Sequence, residues 1–258
     1  MIKNFSDRVK LFGAEIDPLN MGETVSLIFN WLHLPQKDCR FVITPNVDHI
    51  VKFQKDIALQ EAYKKASLVV TDGKPVVWAA KFLKVNIPET VPGSDLVPAL
   101  FDHAQANNIP MTIYLLGAMP GVADRAKTII QTKWPVITVS GTFSPDFGFD
   151  KNPAMSASIC EKINACGADL LVLGLGAPKQ ELWVSRYAPQ LSVKVALCVG
   201  ATIDFIAGEK ARAPLWMQNI GLEWLHRMLS EPKRLAKRYL IDAIVFPKLI
   251  IKEWLLRL

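Results

Sequence analysis

The chain has 258 residues, of which 50% are hydrophobic and 21% are charged. This composition is typical of an ordered globular protein with one large domain, or one domain and an appendage, and it excludes a disordered chain. The net charge is +6, and residues 233–258 hold most of the excess, with seven basic residues against two acidic ones. Such asymmetry predicts an anionic partner for this segment.

The N-terminus lacks the apolar stretch of a signal peptide, and no stretch approaches the ~18 apolar residues of a transmembrane helix. The cysteines lack the spacing of a zinc site or a disulfide framework. They are Cys39, Cys160, Cys166 and Cys198. We therefore expect a cytoplasmic protein with reduced thiols.

Apolar, β-rich runs alternate with helical patterns through the first two hundred or so residues. The strand candidates cover residues 41–44, 68–71, 112–117, 136–140, 170–175 and 193–199. The clearest helical patterns cover residues 23–34, 48–66, 95–107, 120–134 and 152–166. This alternation predicts an α/β fold with a mainly parallel, Rossmann-like sheet and helices on both faces. Ligands of such sheets bind beyond the carboxyl ends of the strands.

The pattern changes at residue 214, where the strands stop. Residues 214–229 predict an aromatic-rich helix, and Pro232 suits the first turn of a second helix capped by Ser230 or Glu231. This second helix is basic and amphipathic, with a break expected at Pro247. We divide the chain into an α/β domain, residues 1–213, and a C-terminal helical appendage, residues 214–258.

The basic residues of the appendage alternate with aliphatic and aromatic ones. Such a helix can lie in a lipid interface, where each basic residue near an anionic bilayer adds about 1 kcal/mol. The alternative is a helix packed on the core or in a homo-oligomer interface. We expect an anionic membrane surface as partner, and no nucleic acid, because aliphatic residues rather than exposed aromatic ones separate the charges.

The turn Gly174-Leu175-Gly176-Ala177-Pro178-Lys179 follows a strand and begins like a dinucleotide-binding fingerprint. Lys179 replaces the third glycine of that fingerprint, and the sequence of a Walker A loop does not follow. Glycines allow close backbone approach, Pro178 can begin a helix, and a helix N-terminus beside a lysine attracts anions. A phosphate site and a ligand-free tight turn both fit this spacing.

Asp72 lies at the end of an apolar strand, beside Gly73. A carboxylate there can be a general base in a cleft. It can also be the N-cap of a helix that begins near Lys74, and from the spacing alone the cap is the commoner role.

Four other polar residues have the same two interpretations. Thr44 and Asn46 either bind a sugar or satisfy the first turn of the next helix. Asp95 and Asp204 either cap helices or hold a sugar or ribose hydroxyl. The sequence contains no Asp-x-Asp pair to hold a divalent metal ion, so we expect no metal site.

Several separated motifs, in one order along residues 44 to about 239, resemble the WecG/TagA/CpsF glycosyltransferase family. They are Thr71-Asp72-Gly73, Pro92-Gly93-Ser94-Asp95-Leu96, residues 174–181 (Gly-Leu-Gly-Ala-Pro-Lys-Gln-Glu), Arg212-Ala213-Pro214, residues 221–227 (Gly-Leu-Glu-Trp-Leu-His-Arg) and Glu231-Pro232-Lys233-Arg234.

The resemblance implies transfer of a sugar from a UDP-sugar to a polyprenyl-diphosphate-linked sugar in bacterial surface polysaccharide synthesis. It implies inversion at the anomeric carbon without a metal ion or other cofactor. The enzyme would be peripheral on the inner face of the plasma membrane. The donor stays open among N-acetylmannosamine-type sugars, uronic acids and hexoses, because Lys74-Pro75 and Val47-Asp48 depart from the residues of other members.

Residue by residue, the resemblance makes Asp72 the catalytic base. It places Thr44 and Asn46 in the substrate pocket and Gln180 in the loop that follows the strand. The other candidate substrate-binding residues in the turns are Gly93, Ser94, Asp95, Gly117, Gly176, Lys179, Glu181 and Asp204.

The family's appendage arginines, which are proposed to reach the diphosphate, match Arg227 and Arg234. Lys237 and Arg238 compete for the third position, which stays open, and Arg238 is included among the candidate substrate-binding residues. Two alternatives remain at this stage. One is a nucleotide-dependent oxidoreductase that uses the glycine turns, and the other is a non-enzymatic membrane adaptor.

Overall fold

A six-stranded parallel sheet forms the centre of the computed structural model, which describes residues 8–35 and 38–258. Its strand order is β4-β3-β8-β7-β5-β6, and a separate antiparallel hairpin, β1–β2, precedes it. The strands are β1 (Val9–Leu11), β2 (Ala14–Ile16), β3 (Arg40–Ile43), β4 (Leu68–Val69), β5 (Met111–Gly117), β6 (Ile137–Phe143), β7 (Leu170–Gly174) and β8 (Val195–Cys198).

Helices cover both faces of this sheet, and each face has its own apolar cluster. The central strands are apolar throughout because neither face meets water. The helices are α1 (Met21–Leu32), α2 (Val47–Phe53), α3 (Ile57–Lys65), α4 (Lys74–Phe82), α5 (Gly93–Ala106), α6 (Val122–Lys133), α7 (Pro153–Ala165), α8 (Lys179–Tyr187), α9 (Thr202–Ile206), α10 (Leu215–Asn219), α11 (Glu223–Ser230) and α12 (Pro232–Leu255).

The structure confirms the predicted α/β class and contains all six predicted strands. The single helix predicted over residues 48–66 is wrong, because α2 ends at Phe53 and Asp56 caps α3 by accepting a hydrogen bond from the Leu59 N–H at 3.0 Å. The helix predicted over residues 214–229 is also two helices, separated at Gly221, whose φ of 70° lies in the left-handed region.

The hairpin β1–β2 was not predicted, because its strands are only three residues long. It is held against β4 by Asp17. The Asp17 carboxylate accepts a hydrogen bond from the Val69 N–H at 2.7 Å and pairs with Arg8 at 3.0 Å. The Asp17 N–H donates in turn to the Val69 carbonyl at 2.8 Å.

The final helix, α12, begins with Pro232 as predicted, but Glu231 at its N-cap makes no side-chain capping bond. The break expected at Pro247 is wrong, since the helix continues to Leu255. One face packs on α2 and the hairpin, with the Phe246 ring 5.4 Å from that of Phe12. The opposite face exposes large apolar side chains: Leu240, Ile241, Ile244, Ile251 and Leu255. No helix in residues 8–35 and 38–258 is both long and apolar enough to span a bilayer.

Candidate active site

Asp72 lies just beyond β4, where its N–H donates to the Pro45 carbonyl at 2.7 Å. The capping role considered from the sequence is wrong. Gly73, with a φ of 99°, is the N-cap of α4, and no side chain supplies a capping bond. The Asp72 carboxyl group is therefore not committed to the helix beside it and is available for chemistry.

Charged residues from distant segments surround this carboxyl group. Burial raises the pKa of Asp72 to about 7, with further upward contributions from Glu223 and Asp95. The positive charges of Arg227 and Arg212 oppose this rise in pKa. A carboxyl group with a pKa near neutral is suited to proton abstraction at physiological pH.

Arg212 joins three of the surrounding elements. Its guanidinium pairs with Asp95 on α5 and lies 3.5 Å from the Glu223 carboxylate at the start of α11. It also donates to the Gln218 side chain on α10 at 3.0 Å. The planar guanidinium group of Arg212 thus holds α10 and α11 against the first turn of α5.

The first turn of α5 approaches the sheet closely. A Cβ on Gly93 would lie 2.6 Å from the Val199 Cβ at the end of β8, so only glycine fits there. The N-cap is Pro92, so the capping role considered for Asp95 is wrong. Ser94 is partly exposed in the same turn.

Phe205 on α9 lies beneath two guanidinium groups. The Cζ atoms of Arg227 and Arg212 are 5.7 Å and 5.9 Å from its ring centroid, within the range of cation–π attraction. This stacking helps to hold the Arg227 guanidinium in the position from which its charge acts on the pKa of Asp72.

A second group of charges begins at the neighbouring Asp204, which is buried on α9 and does not act as the N-cap of that helix. Lys210 lies 3.8 Å from Asp204 and 3.4 Å from Glu231. Glu231 pairs with Arg234 at 2.7 Å. The structure thus links Asp204 to Arg234 through two intermediates.

The loop of residues 174–181 uses its glycines in different ways. A Cβ on Gly117 would lie 2.5 Å from the Gly174 backbone, and one on Gly174 would lie 2.9 Å from Ile203 Cδ1. These two glycines therefore serve close packing between chain segments. Gly176, with a φ of 80°, has no atom within 4 Å of a Cβ and leaves open space beside the loop.

The side chains after the glycines point in opposite directions. Gln180 is buried, accepts from the Gly200 N–H at 3.2 Å and donates to Glu181 at 2.7 Å. Lys179 is partly exposed, lies 3.8 Å from Asp150 and approaches the ring of Phe147. Gln180 thus ties the loop to the end of β8, while Lys179 lies at the rim.

Thr44 and Asn46 organise the turn after β3. The Thr44 hydroxyl donates to the Cys198 carbonyl at 3.0 Å, which joins the carboxyl ends of β3 and β8. The Asn46 side-chain oxygen accepts from the His49 N–H at 3.2 Å and caps α2. Asn46 therefore has the capping role that its spacing allowed, and Thr44 bonds the neighbouring strand.

A buried polar group lies under this turn. The Glu181 carboxylate is 3.7 Å from His49 Nε2, and His49 Nδ1 is 3.0 Å from the Tyr63 hydroxyl. Glu181 Oε2 has no hydrogen-bond partner in the described part of the chain. Burial raises the pKa of Glu181 to about 7 and lowers that of His49 to about 4. In weakly acidic solution, the side chains of Glu181 and His49 are therefore both mostly uncharged.

Asp48 connects α12 to the 174–181 loop. It pairs with Lys52 at 2.8 Å and lies 3.7 Å from the Arg238 guanidinium. Lys52 also donates to the Ala177 carbonyl at 3.3 Å. Of the two residues that compete for the third appendage position, Arg238 faces α2 and Lys237 is exposed.

The predicted site residues thus divide into groups. Asp72, Asp95 and Arg227 lie together, whereas Arg234 belongs with Asp204 and Arg238 with Asp48. Sequence reasoning assigned no role to Arg212, Glu223 or Lys210. The only sequence signal for Arg212 and Glu223 was their place within the family motifs. In the described ranges, no three His, Cys, Asp or Glu side chains are arranged to hold a metal ion.

Similarity to known proteins extends over nearly the whole chain. The model of the glycosyl transferase WecG/TagA/CpsF family matches residues 9–258. Similar curated proteins include the N-acetylglucosaminyldiphosphoundecaprenol N-acetyl-beta-D-mannosaminyltransferases of Staphylococcus aureus strains MRSA252, MW2 and NCTC 8325 / PS 47. Each is 27% identical over 230 residues, which cover 89% of this chain and 87% of the relative.

The buried Glu181 predicts a specific dependence of stability on pH. Its pKa is about 7 in the folded protein and 4.5 in the unfolded chain. Stability is therefore lost as pH rises between these values, because only the unfolded chain ionises freely. The side chain of the Glu181→Gln variant cannot ionise, so the variant should lack this loss of stability. Between pH 4.5 and pH 8, its unfolding free energy should therefore rise by about 2–3 kcal/mol relative to that of the parent.

Urea unfolding at a series of pH values measures this difference. The exposed Glu161→Gln is the matched control and should follow the parent curve. Parallel curves for parent and Glu181→Gln would show that Glu181 titrates normally.

Arg212→Lys keeps the charge but loses the planar fork that reaches Asp95, Gln218 and Glu223. We expect it to destabilise the protein by about 1–2 kcal/mol and to speed amide hydrogen exchange in α10 and α11. The control is Arg125→Lys, whose exposed pair with Glu209 should contribute little. Unchanged exchange in α10 and α11 would contradict the joining role of Arg212.

Proposed function

Because this chain belongs to the WecG/TagA/CpsF glycosyltransferase family, and is a glycosyltransferase, we propose that it transfers a sugar from UDP to a sugar on a polyprenyl diphosphate. The observation that carries this proposal is the placement of Asp72 just beyond the carboxyl end of β4, where the positive charges of Arg227 and Arg212 act on its pKa. The activity for which the relatives are named supports the acceptor class and favours an N-acetylmannosamine-type donor. Membership of a glycosyltransferase family argues against both earlier alternatives, the nucleotide-dependent oxidoreductase and the non-enzymatic membrane adaptor.

The first step of the mechanism is proton removal by Asp72. Its carboxylate takes the proton of an acceptor hydroxyl, and the hydroxyl oxygen attacks the anomeric carbon from the face opposite UDP. The bond between this carbon and the UDP oxygen breaks, and UDP leaves with the electron pair. This single displacement inverts the anomeric carbon.

The leaving diphosphate needs positive charge, and the appendage supplies it. Arg227 is the appendage arginine whose positive charge lowers the pKa of Asp72. Arg234 and Arg238 are paired with Glu231 and Asp48, and we infer that a diphosphate exchanges with these partners. Guanidinium groups bind phosphate oxygens in a bidentate manner, which lets this chemistry proceed without a metal ion.

We place the donor beyond the ends of β3, β7 and β8. Gly176 leaves room for a phosphate beside the N-terminus of α8, and Lys179 lies at the rim of this space. Asn46 uses its oxygen to cap α2, so its amide nitrogen is the group that can donate to the sugar. Thr44 donates to Cys198, and its oxygen can still accept a hydrogen bond.

The α/β domain, residues 1–213, thus holds the base and the donor, and the appendage, residues 214–258, completes the site. The exposed apolar face of α12, with basic residues beside it, supports peripheral binding to the anionic inner face of the plasma membrane. The polyprenyl acceptor is held in the same bilayer.

A UDP-release screen tests the proposed reaction. Purified protein is given a series of UDP-sugars, with and without N-acetylglucosamine linked to a short-chain prenyl diphosphate. We expect UDP release that requires both the acceptor and one class of donor, with the transferred sugar found on the acceptor. If no donor gives acceptor-dependent release, the proposed substrates are wrong.

Asp72→Asn should slow transfer by about 10²–10⁴-fold, the usual contribution of a general base. In the parent, kcat/KM should rise with pH through the Asp72 pKa of about 7, because only the ionised carboxylate accepts a proton. The residual rate of the variant should not show this rise. Asp56→Asn, which keeps a good helix cap remote from the site, should behave like the parent.

A further inference from the structure

Helix α4 exposes two large aromatic side chains on its outer face. Trp78 is 52% exposed and Phe82 is 61% exposed. With Lys81 they occupy positions i, i+3 and i+4, which share one face of a helix. The opposite face packs into the core through Val76, Ala79 and Ala80. The helix is therefore amphipathic with aromatic rings directed outward, where a stable fold does not require them.

This exposed surface continues onto the appendage. A Cβ on Gly221 would lie 2.6 Å from Trp78 Cη2, so the turn between α10 and α11 rests on the Trp78 ring. Lys74 fixes the same turn by donating to the Asn219 carbonyl at 2.5 Å. Ile220, 51% exposed, extends the apolar surface beyond Trp78.

The charged residues of α4 and of the segment directly after it, up to Pro88, are lysines. Residues 74–88 contain three lysines and no acidic residue. Lys74 is engaged with the appendage, whereas Lys81 and Lys84 are exposed on either side of Phe82. The partner of this face must therefore accept apolar rings and present negative charge.

We propose that α4 is a lipid-contacting element of its own, which places Trp78 and Phe82 in the interface of an anionic bilayer. The inference rests on the proposed function, in which the acceptor is a lipid. Protruding rings flanked by lysines suit headgroup depth, where aromatic side chains anchor proteins and each lysine is attracted to anionic lipid. A symmetric contact between two copies would instead bring like charges together.

The position of α4 gives this contact a consequence for the reaction. The helix begins two residues after Asp72. At ~1.5 Å per residue, Trp78 lies about 6 Å and Phe82 about 12 Å along the helix from Lys74. A bilayer seated on α4 would therefore present the sugar of a lipid-linked acceptor close to the base. Helix α12 provides a separate attachment.

Vesicle sedimentation without substrates tests the surface independently of the chemistry. The full-length protein is mixed with vesicles of phosphatidylglycerol and phosphatidylcholine, or of phosphatidylcholine alone. The test variants are Trp78→Ala/Phe82→Ala and Lys81→Glu/Lys84→Glu. Phe82→Ser is added because Trp78 also contacts Gly221. Lys55→Glu and Ile57→Ala, changes at exposed positions outside α4, are the controls.

We expect the two paired variants to bind anionic vesicles about tenfold more weakly than the parent. Phe82→Ser should also bind more weakly than the parent, and the controls should bind as the parent does. With vesicle-embedded acceptor Phe82→Ser, which leaves the Trp78–Gly221 contact intact, should lose activity, while it should use a water-soluble short-chain acceptor at the parent rate. Equal vesicle binding by parent and variants would overturn the proposal. So would a dimer that dissociates in the variants, since the face would then join two copies. If the parent itself fails with the short-chain acceptor, the proposed reaction fails instead.

Discussion

The guanidinium of Arg212 is the contact on which the arrangement of the site depends. It bonds Asp95, Gln218 and Glu223, which lie on α5, α10 and α11. Its side chain connects the start of a sheet-covering helix to both short helices of the appendage at once. Its Nε is buried without a hydrogen-bond partner within the described ranges. The unsatisfied Nε costs free energy, which the three contacts of the same guanidinium offset.

A second connection joins the appendage to the α/β domain through Asp48 on α2, which lies close to both Lys52 and Arg238. Lys52 also donates a hydrogen bond to the Ala177 carbonyl. A shift of α12 would therefore move Asp48 and Lys52, and through Lys52 the loop that we assign to the donor phosphates. From this pairing and the contacts of Arg212, we infer that the appendage is part of the proposed site.

The sheet could be predicted because each strand is a short apolar run ending in a polar or glycine-rich turn. That pattern even located Asp72, although its role as a cap was the commoner interpretation. The sequence could not reveal that Gly73 takes over the capping position, since this depends on a φ of 99°. Nor could it pair Arg212 with Asp95, which is 117 residues earlier in the chain. The division between α2 and α3 was missed because a helical pattern continues across the break at Asp56.

The raised carboxyl pKa values change what the formal charge of +6 means. That count treats every carboxyl group as ionised, but the pKa is about 7 for Asp72 and Glu181 and about 6 for Asp242. Near neutral pH the folded protein therefore carries fractional protons at these groups and is more positive than its composition suggests. A diphosphate that binds nearby favours the protonated forms, so binding should draw protons from solution. The heat of UDP binding would then depend on the ionisation enthalpy of the buffer.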